Sequence, residues 1–101
     1  MSASTVVYKY PIDITDVQIL ILPLGAKLLS VGYDVDTRQG LLWALVDRTE
    51  TQMMQHIIEI LGTGHPGPIH GGTYLGRIDV PDSITLRFHV FTGLVRGQND
   101  L

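Results

Sequence analysis

Apolar side chains recur at every second position along most of this chain, and that period constrains its fold more than any other feature. Leu29, Val31, Tyr33 and Val35 alternate with Ser30, Gly32 and Asp34, and Ile84, Leu86, Phe88 and Val90 alternate with Thr85, Arg87 and His89. A two-residue repeat sorts side chains onto the two faces of an extended strand, whereas a helix repeats its apolar face every three or four residues. The interruptions are turn formers: Pro23 and Gly25, the polar run Asp36-Thr37-Arg38-Gln39-Gly40, and Pro81-Asp82-Ser83. Such residues supply the restricted or positive φ angles that reverse a chain.

The pattern divides accordingly. Val6, Tyr8 and Tyr10 form a first strand that Pro11 places at an edge or end, and Val17, Ile19 and Ile21 form a second. The strand carrying Leu29 to Val35 and the one starting at Leu41 are read as a hairpin around the polar run. Leu41 to Val46 is apolar on both faces and holds the single tryptophan, Trp43, as expected of a central strand covered on both sides. Thr49 to Leu61 fits either period: Met53, Ile57, Ile60 and Leu61 make a helical face, with Thr49 and Gln52 as a capping box, while the neighbouring pattern favours a strand. Tyr74, Ile78 and Val80 mark a further strand, and Gly97 to Leu101 reads as a frayed end. The sum is a mostly β fold of about seven strands, a small antiparallel sandwich or partly open barrel with at most one short helix. Its edges need protection, which a homo-oligomer would supply.

At 101 residues, 45% apolar and 17% charged, the chain has enough apolar surface for one modest core, so residues 1–101 are read as a single domain. No apolar run approaches the roughly 20 residues that span a bilayer, and Met1-Ser2-Ala3-Ser4 is not a charged leader. The net charge is −3, with seven Lys and Arg scattered singly, which leaves no basic stripe for a nucleic-acid backbone. The absence of cysteine removes disulfides and thiol catalysis and fits a cytoplasmic setting.

Residues 62–72 read GTGHPGPIHGG. Gly62-Thr63-Gly64-His65-Pro66-Gly67 satisfies G-x-G-x-x-G, with Asp82 about twenty residues on, where a dinucleotide fingerprint wants an acid. That fingerprint needs a helix opening at its third glycine, and Pro68-Ile69-His70-Gly71-Gly72 cannot form one. Two readings stand: a long connection between strands, or a backbone nest for a phosphate or carboxylate, with Thr63 and His65 as added donors. His65 and His70 are too few for a zinc site, and the nearest additional candidates are Glu59 and Asp79, so no metal is assigned. His56 and His89 read as partly covered surface histidines. No serine sits in a strained elbow, so no catalytic triad is nominated. Arg77 and Arg87 fall on outward positions of neighbouring strands with His89, a face able to meet phosphate or an acidic partner.

The order YKYPIDITDVQ, LPLGAKLLSVGYD, LLWALVD, GTGHP and FHVF resembles a family of small uncharacterised proteins encoded by bacteriophages and prophages, over nearly the whole chain. Tyr74-Leu75-Gly76 fits the Tyr-Leu/Ile-Gly strand of that pattern, and Met53-Met54-Gln55-His56 departs from it. The resemblance implies an accessory phage protein working in the host cytoplasm and implies no reaction. The functional expectation is a non-enzymatic binding protein acting in counter-defence, needing no cofactor, that sequesters a small nucleotide immune signal. Gly62, Thr63, Gly64 and His65 would receive phosphate, Arg77 or Arg87 would pair with its charge, and Tyr74 would stack on a base. The alternatives are an inhibitor of a host defence protein, of anti-CRISPR type, and a small virion or accessory structural protein; an enzyme acting on such a signal has only the histidine pair to recommend it.

Overall fold

The computed structural model describes residues 4–95; the expected leader-free start at residues 1–3 and the frayed end at 97–101 lie outside them. Seven strands follow one another: β1 (Thr5–Ile12), β2 (Val17–Pro23), β3 (Lys27–Asp34), β4 (Gln39–Asp47), β5 (Met53–Gly62), β6 (Thr73–Val80) and β7 (Leu86–Leu94). They form two antiparallel sheets, β1-β4-β3 and β2-β5-β7-β6, with no helix among the described residues and no closure into a barrel. The expected small β-sandwich is the architecture found. Its shortest dimension is 19 Å, the thickness of two sheets stacked about 10 Å apart with their outer side chains. No described helix is long and apolar enough to cross a membrane.

Alternation decides what lies between the sheets. Leu42, Ala44 and Val46 of β4 face Ile58 and Ile60 of β5, Ile78 of β6 and Val90 of β7, closed at the ends by Ile12 and Leu22, and all nine are buried. Fully burying one such aliphatic side chain stabilises by about 1.5–3 kcal/mol.

Local polar contacts hold the turns between these strands. Asp34 Oδ1 accepts the Asp36 and Thr37 amides in the β3–β4 hairpin, where Arg38 takes φ 56°. At the end of β4, Asp47 Oδ1 accepts the hydroxyls of Thr49 (2.6 Å) and Ser4 (2.7 Å) and the Thr49 amide. These bonds hold its carboxyl below the usual range.

Of the two periods open to Thr49–Leu61, the favoured strand is the one found: β5 runs from Met53 to Gly62 between β2 and β7. Three other expectations change. A register shift between Leu28 and Ser30 flips the phase of β3, so Leu28 joins Val31 and Tyr33 against the core. Leu29 and Val35, expected on that face, are exposed. The central strand β4 is covered on one face only: Leu41, Trp43 and Leu45 lie half-buried on the outer face, with the Trp43 ring against Gly32. A second register shift, between Tyr74 and Gly76, turns Tyr74 outward and Ile78 and Val80 inward, so the three do not share a face.

Candidate functional site

The glycine-rich segment leaves the end of β5 and crosses the outer face of the four-stranded sheet before becoming β6. Its first part is a tight turn: the His65 amide donates to the Gly62 carbonyl (3.1 Å), with Gly64 at φ 90° in the third position. That angle fits the third position of a type II turn, where glycine is favoured. The turn folds the His65 ring back against Gly62 and raises Thr63 toward β7.

The second part of the segment forms a nest, and its occupant is internal. The Ile69, His70 and Gly71 amides converge on the Glu59 carboxylate: His70 and Gly71 donate to Oε1 at 2.6 and 2.8 Å, and Ile69 is shared between Oε1 (3.1 Å) and Oε2 (3.0 Å). Glu59 sits on the outer face of β5 and is only 3% exposed because this loop covers it. Burial pushes its carboxyl up, but the three amide bonds and the nearby His70 outweigh burial and hold it below its ordinary value. The loop reaches Glu59 by close approach at Gly71, where a Cβ would stand 2.9 Å from the Phe91 main-chain carbon. The Gly72 amide then donates to the Thr92 carbonyl (3.0 Å) and leads into β6.

Above this anchored base the expected residues gather. His89, projecting from β7, has Thr63 Oγ1 at 2.9 Å from Nε2 and the Tyr74 hydroxyl at 3.3 Å from Nδ1. The Tyr74 ring meets Phe91 edge-on, with centroids 5.2 Å apart. Two hollows open on either side of the turn. The larger, about 590 Å³, is bounded by Thr63, His65 and Arg87 with Leu86 and Phe88. The smaller, about 270 Å³, is bounded by Thr63, Gly64, His65, Tyr74, His89 and Phe91. Thr63 and His65 border both.

The arginines are arranged less simply than alternation implies. Arg77 is turned to Asp79, with Nε 2.8 Å from Oδ1 and Nη2 donating to Oδ2 at 3.1 Å. Arg87 lies 3.8 Å from the same Oδ1 while bordering the larger hollow. Gly62, Thr63, Gly64, His65, Tyr74 and Arg87 therefore belong to one region, and Arg77 is held at its margin by an exposed ion pair. A separate hollow of about 360 Å³, between the β3–β4 and β6–β7 turns, includes Tyr33, Arg38 and Asp82 and none of the expected residues. Among the described residues, no three His, Asp or Glu side chains are grouped to hold a metal ion.

Sequence reasoning gave His89 only a place on a polar face and gave Glu59 no role in the loop. An acid inside the apolar run Ile57-Ile58-Glu59-Ile60-Leu61 was the available signal, because a carboxylate there must be satisfied by something. The chain belongs to the family described as Domain of unknown function (DUF7352), whose model matches residues 3–99. Comparison with curated proteins and with solved structures returned no match.

Proposed function

We propose that this protein binds a small phosphorylated ligand without transforming it, in the paired hollows around the Gly62–His65 turn. One observation carries the reading: the Arg87 guanidinium, the His65 imidazole and the Thr63 hydroxyl border one hollow, and the aromatic rings of Tyr74, His89 and Phe91 border the hollow beside it. A nucleotide has that division, an anionic end and a flat ring, and volumes of a few hundred Å³ suit it. Arg87 would pair with the phosphate and Tyr74 would stack on the base.

The 69–71 amides already hold Glu59 and the His65 amide is bonded to the Gly62 carbonyl, so the reading relies on the side chains of Arg87, His65 and Thr63. A binding role also fits the hydrogen bonding of His89, whose ring nitrogens meet two neutral hydroxyls rather than an orienting carboxylate. In the phage setting implied by the resemblance, the ligand is a host immune nucleotide and the effect is sequestration. Calorimetry against cyclic dinucleotides and ADP-ribose derivatives tests this. Binding that is lost in Arg87→Ala and Tyr74→Ala, with the fold intact, is the expected result, and no binding across the panel overturns it.

A second reading, obstruction of a host defence protein, draws on two apolar loop residues, Ile69 at 81% and Ile84 at 71% exposed. Capture of one defence protein, abolished by Ile69→Asp and unaffected by nucleotides, would favour it.

A further inference from the structure

Among the described residues the sandwich has four open strand edges, and three carry the devices that normally prevent edge-to-edge pairing. β1 holds Lys9 and Pro11; β3 holds Lys27 and Asp34 and is broken by its register shift; β6 holds Arg77 and Asp79 and is broken by another. β2 is different. From Val17 to Leu22 it has no charge, no proline and an unbroken register against β5, and its first proline is Pro23 at its end.

The hydrogen bonding of β2 fixes which main-chain groups face outward. The Ile60 amide donates to the Asp16 carbonyl (2.9 Å), and the Leu24 amide donates to the Gln52 carbonyl (2.8 Å). With the pairing regular between these points, even-numbered residues of β2 direct their N–H and C=O groups at β5. Val17, Ile19 and Ile21 therefore direct theirs at the open edge. Their side chains also stand on the outer face, at 42%, 49% and 53% exposed.

We infer that β2 pairs antiparallel with β2 of a second copy about a two-fold axis at Ile19, joining two four-stranded sheets into one. In that register Ile19 opposes its own counterpart, and Val17 opposes Ile21 of the second copy. Each of these residues exchanges both main-chain hydrogen bonds with its opposite. Three observations select a second copy as the occupant. The edge carries no charge, so self-pairing sets no like charges against each other. Its outward groups are complementary to themselves under antiparallel two-fold symmetry. The cross-strand neighbours become β-branched pairs, the side chains that favour strand pairing. Asp16, just before the strand, would lie opposite Leu22 of the second copy, away from the equivalent carboxylate.

Sedimentation of the purified chain, with hydrogen exchange read residue by residue, tests the inference. The expected result is a dimer in which the Val17, Ile19 and Ile21 amides gain protection with rising concentration, while the Gln18 and Leu20 amides are protected throughout. Ile19→Lys and Ile19→Glu alter one exposed side chain, so each is expected to keep the strand spectrum and sediment as a monomer. Mixing the two should restore a dimer, because position 19 meets itself only at this axis. A wild-type chain that stays monomeric at millimolar concentration overturns the inference, as does a dimer whose Val17, Ile19 and Ile21 amides exchange freely. A Lys and Glu mixture that stays monomeric overturns it also.

Discussion

Replacing Glu59 by Gln should loosen the loop over the candidate site, and the geometry gives both the size and the pH dependence of the loss. Oε1 accepts all three loop amides and Oε2 accepts a share of one. A glutamine oxygen can keep the first position, but its amide nitrogen then points a donor at the Ile69 N–H. Hydrogen bonds to a charged acceptor are worth about 1 kcal/mol more than neutral ones, giving about 3 kcal/mol for three bonds. Water reaches the exposed Ile69 and His70, which discounts the total to about 2 kcal/mol, or a fall in melting temperature of about 10 °C. The sign with pH follows from a carboxyl held below its ordinary 4.5. Its contribution is complete above that value and is lost as pH falls through the lower folded-state value. Thermal unfolding of both proteins from neutral pH downward should show a gap that closes in acid, with the His70 and Gly71 amides exchanging faster in the variant near neutrality. Equal stability near neutrality, or a gap that persists unchanged in acid, refutes the argument.

Gly71→Ala forces a Cβ onto the Phe91 backbone and should cost about 2 kcal/mol, with the Gly72 amide losing hydrogen-exchange protection as the loop lifts. Thr63→Val removes the hydroxyl beside His89 Nε2, so the ring-nitrogen NMR shifts of His89 should change while melting moves by less than about 1 kcal/mol. His56 is buried on β5, and burial holds its ring below the ordinary 6.5, so the unfolded chain binds the extra proton. Wild-type stability should therefore fall as pH drops below that value, and His56→Gln should flatten this limb in denaturant titrations.

What was legible in the sequence is what depends on period and punctuation. Alternation located the strands, and the proline before Ile12 placed β1 at an edge. Two bulges were not legible, because a single extra residue at Leu29 or Leu75 reverses every later side chain on its strand without changing composition. Trp43 misled for a different reason. A run apolar on both faces implied two covers, yet the outer one is no more than a half-buried layer lying against Gly32. At the site, Thr63, His65, Tyr74 and Arg87 were singled out by residue chemistry and are brought together. The loop's hold on Glu59 was invisible, because its partners are main-chain amides, which every residue but proline possesses and no pattern advertises.

The clasp between Glu59 and the 69–71 amides closes a short segment at its base, as in an Ω-loop, and leaves the tip from Thr63 to Pro68 outside the clasp itself. Such a division separates two kinds of sequence change. Substitutions at the base are tests of folding, and substitutions at the tip are tests of the proposed binding. Under the proposed function, a library at positions 63, 65 and 66 that keeps the positive-φ Gly64 and Gly67 would vary the groups offered to a ligand at little cost in stability, much as an antibody framework tolerates new loop sequences.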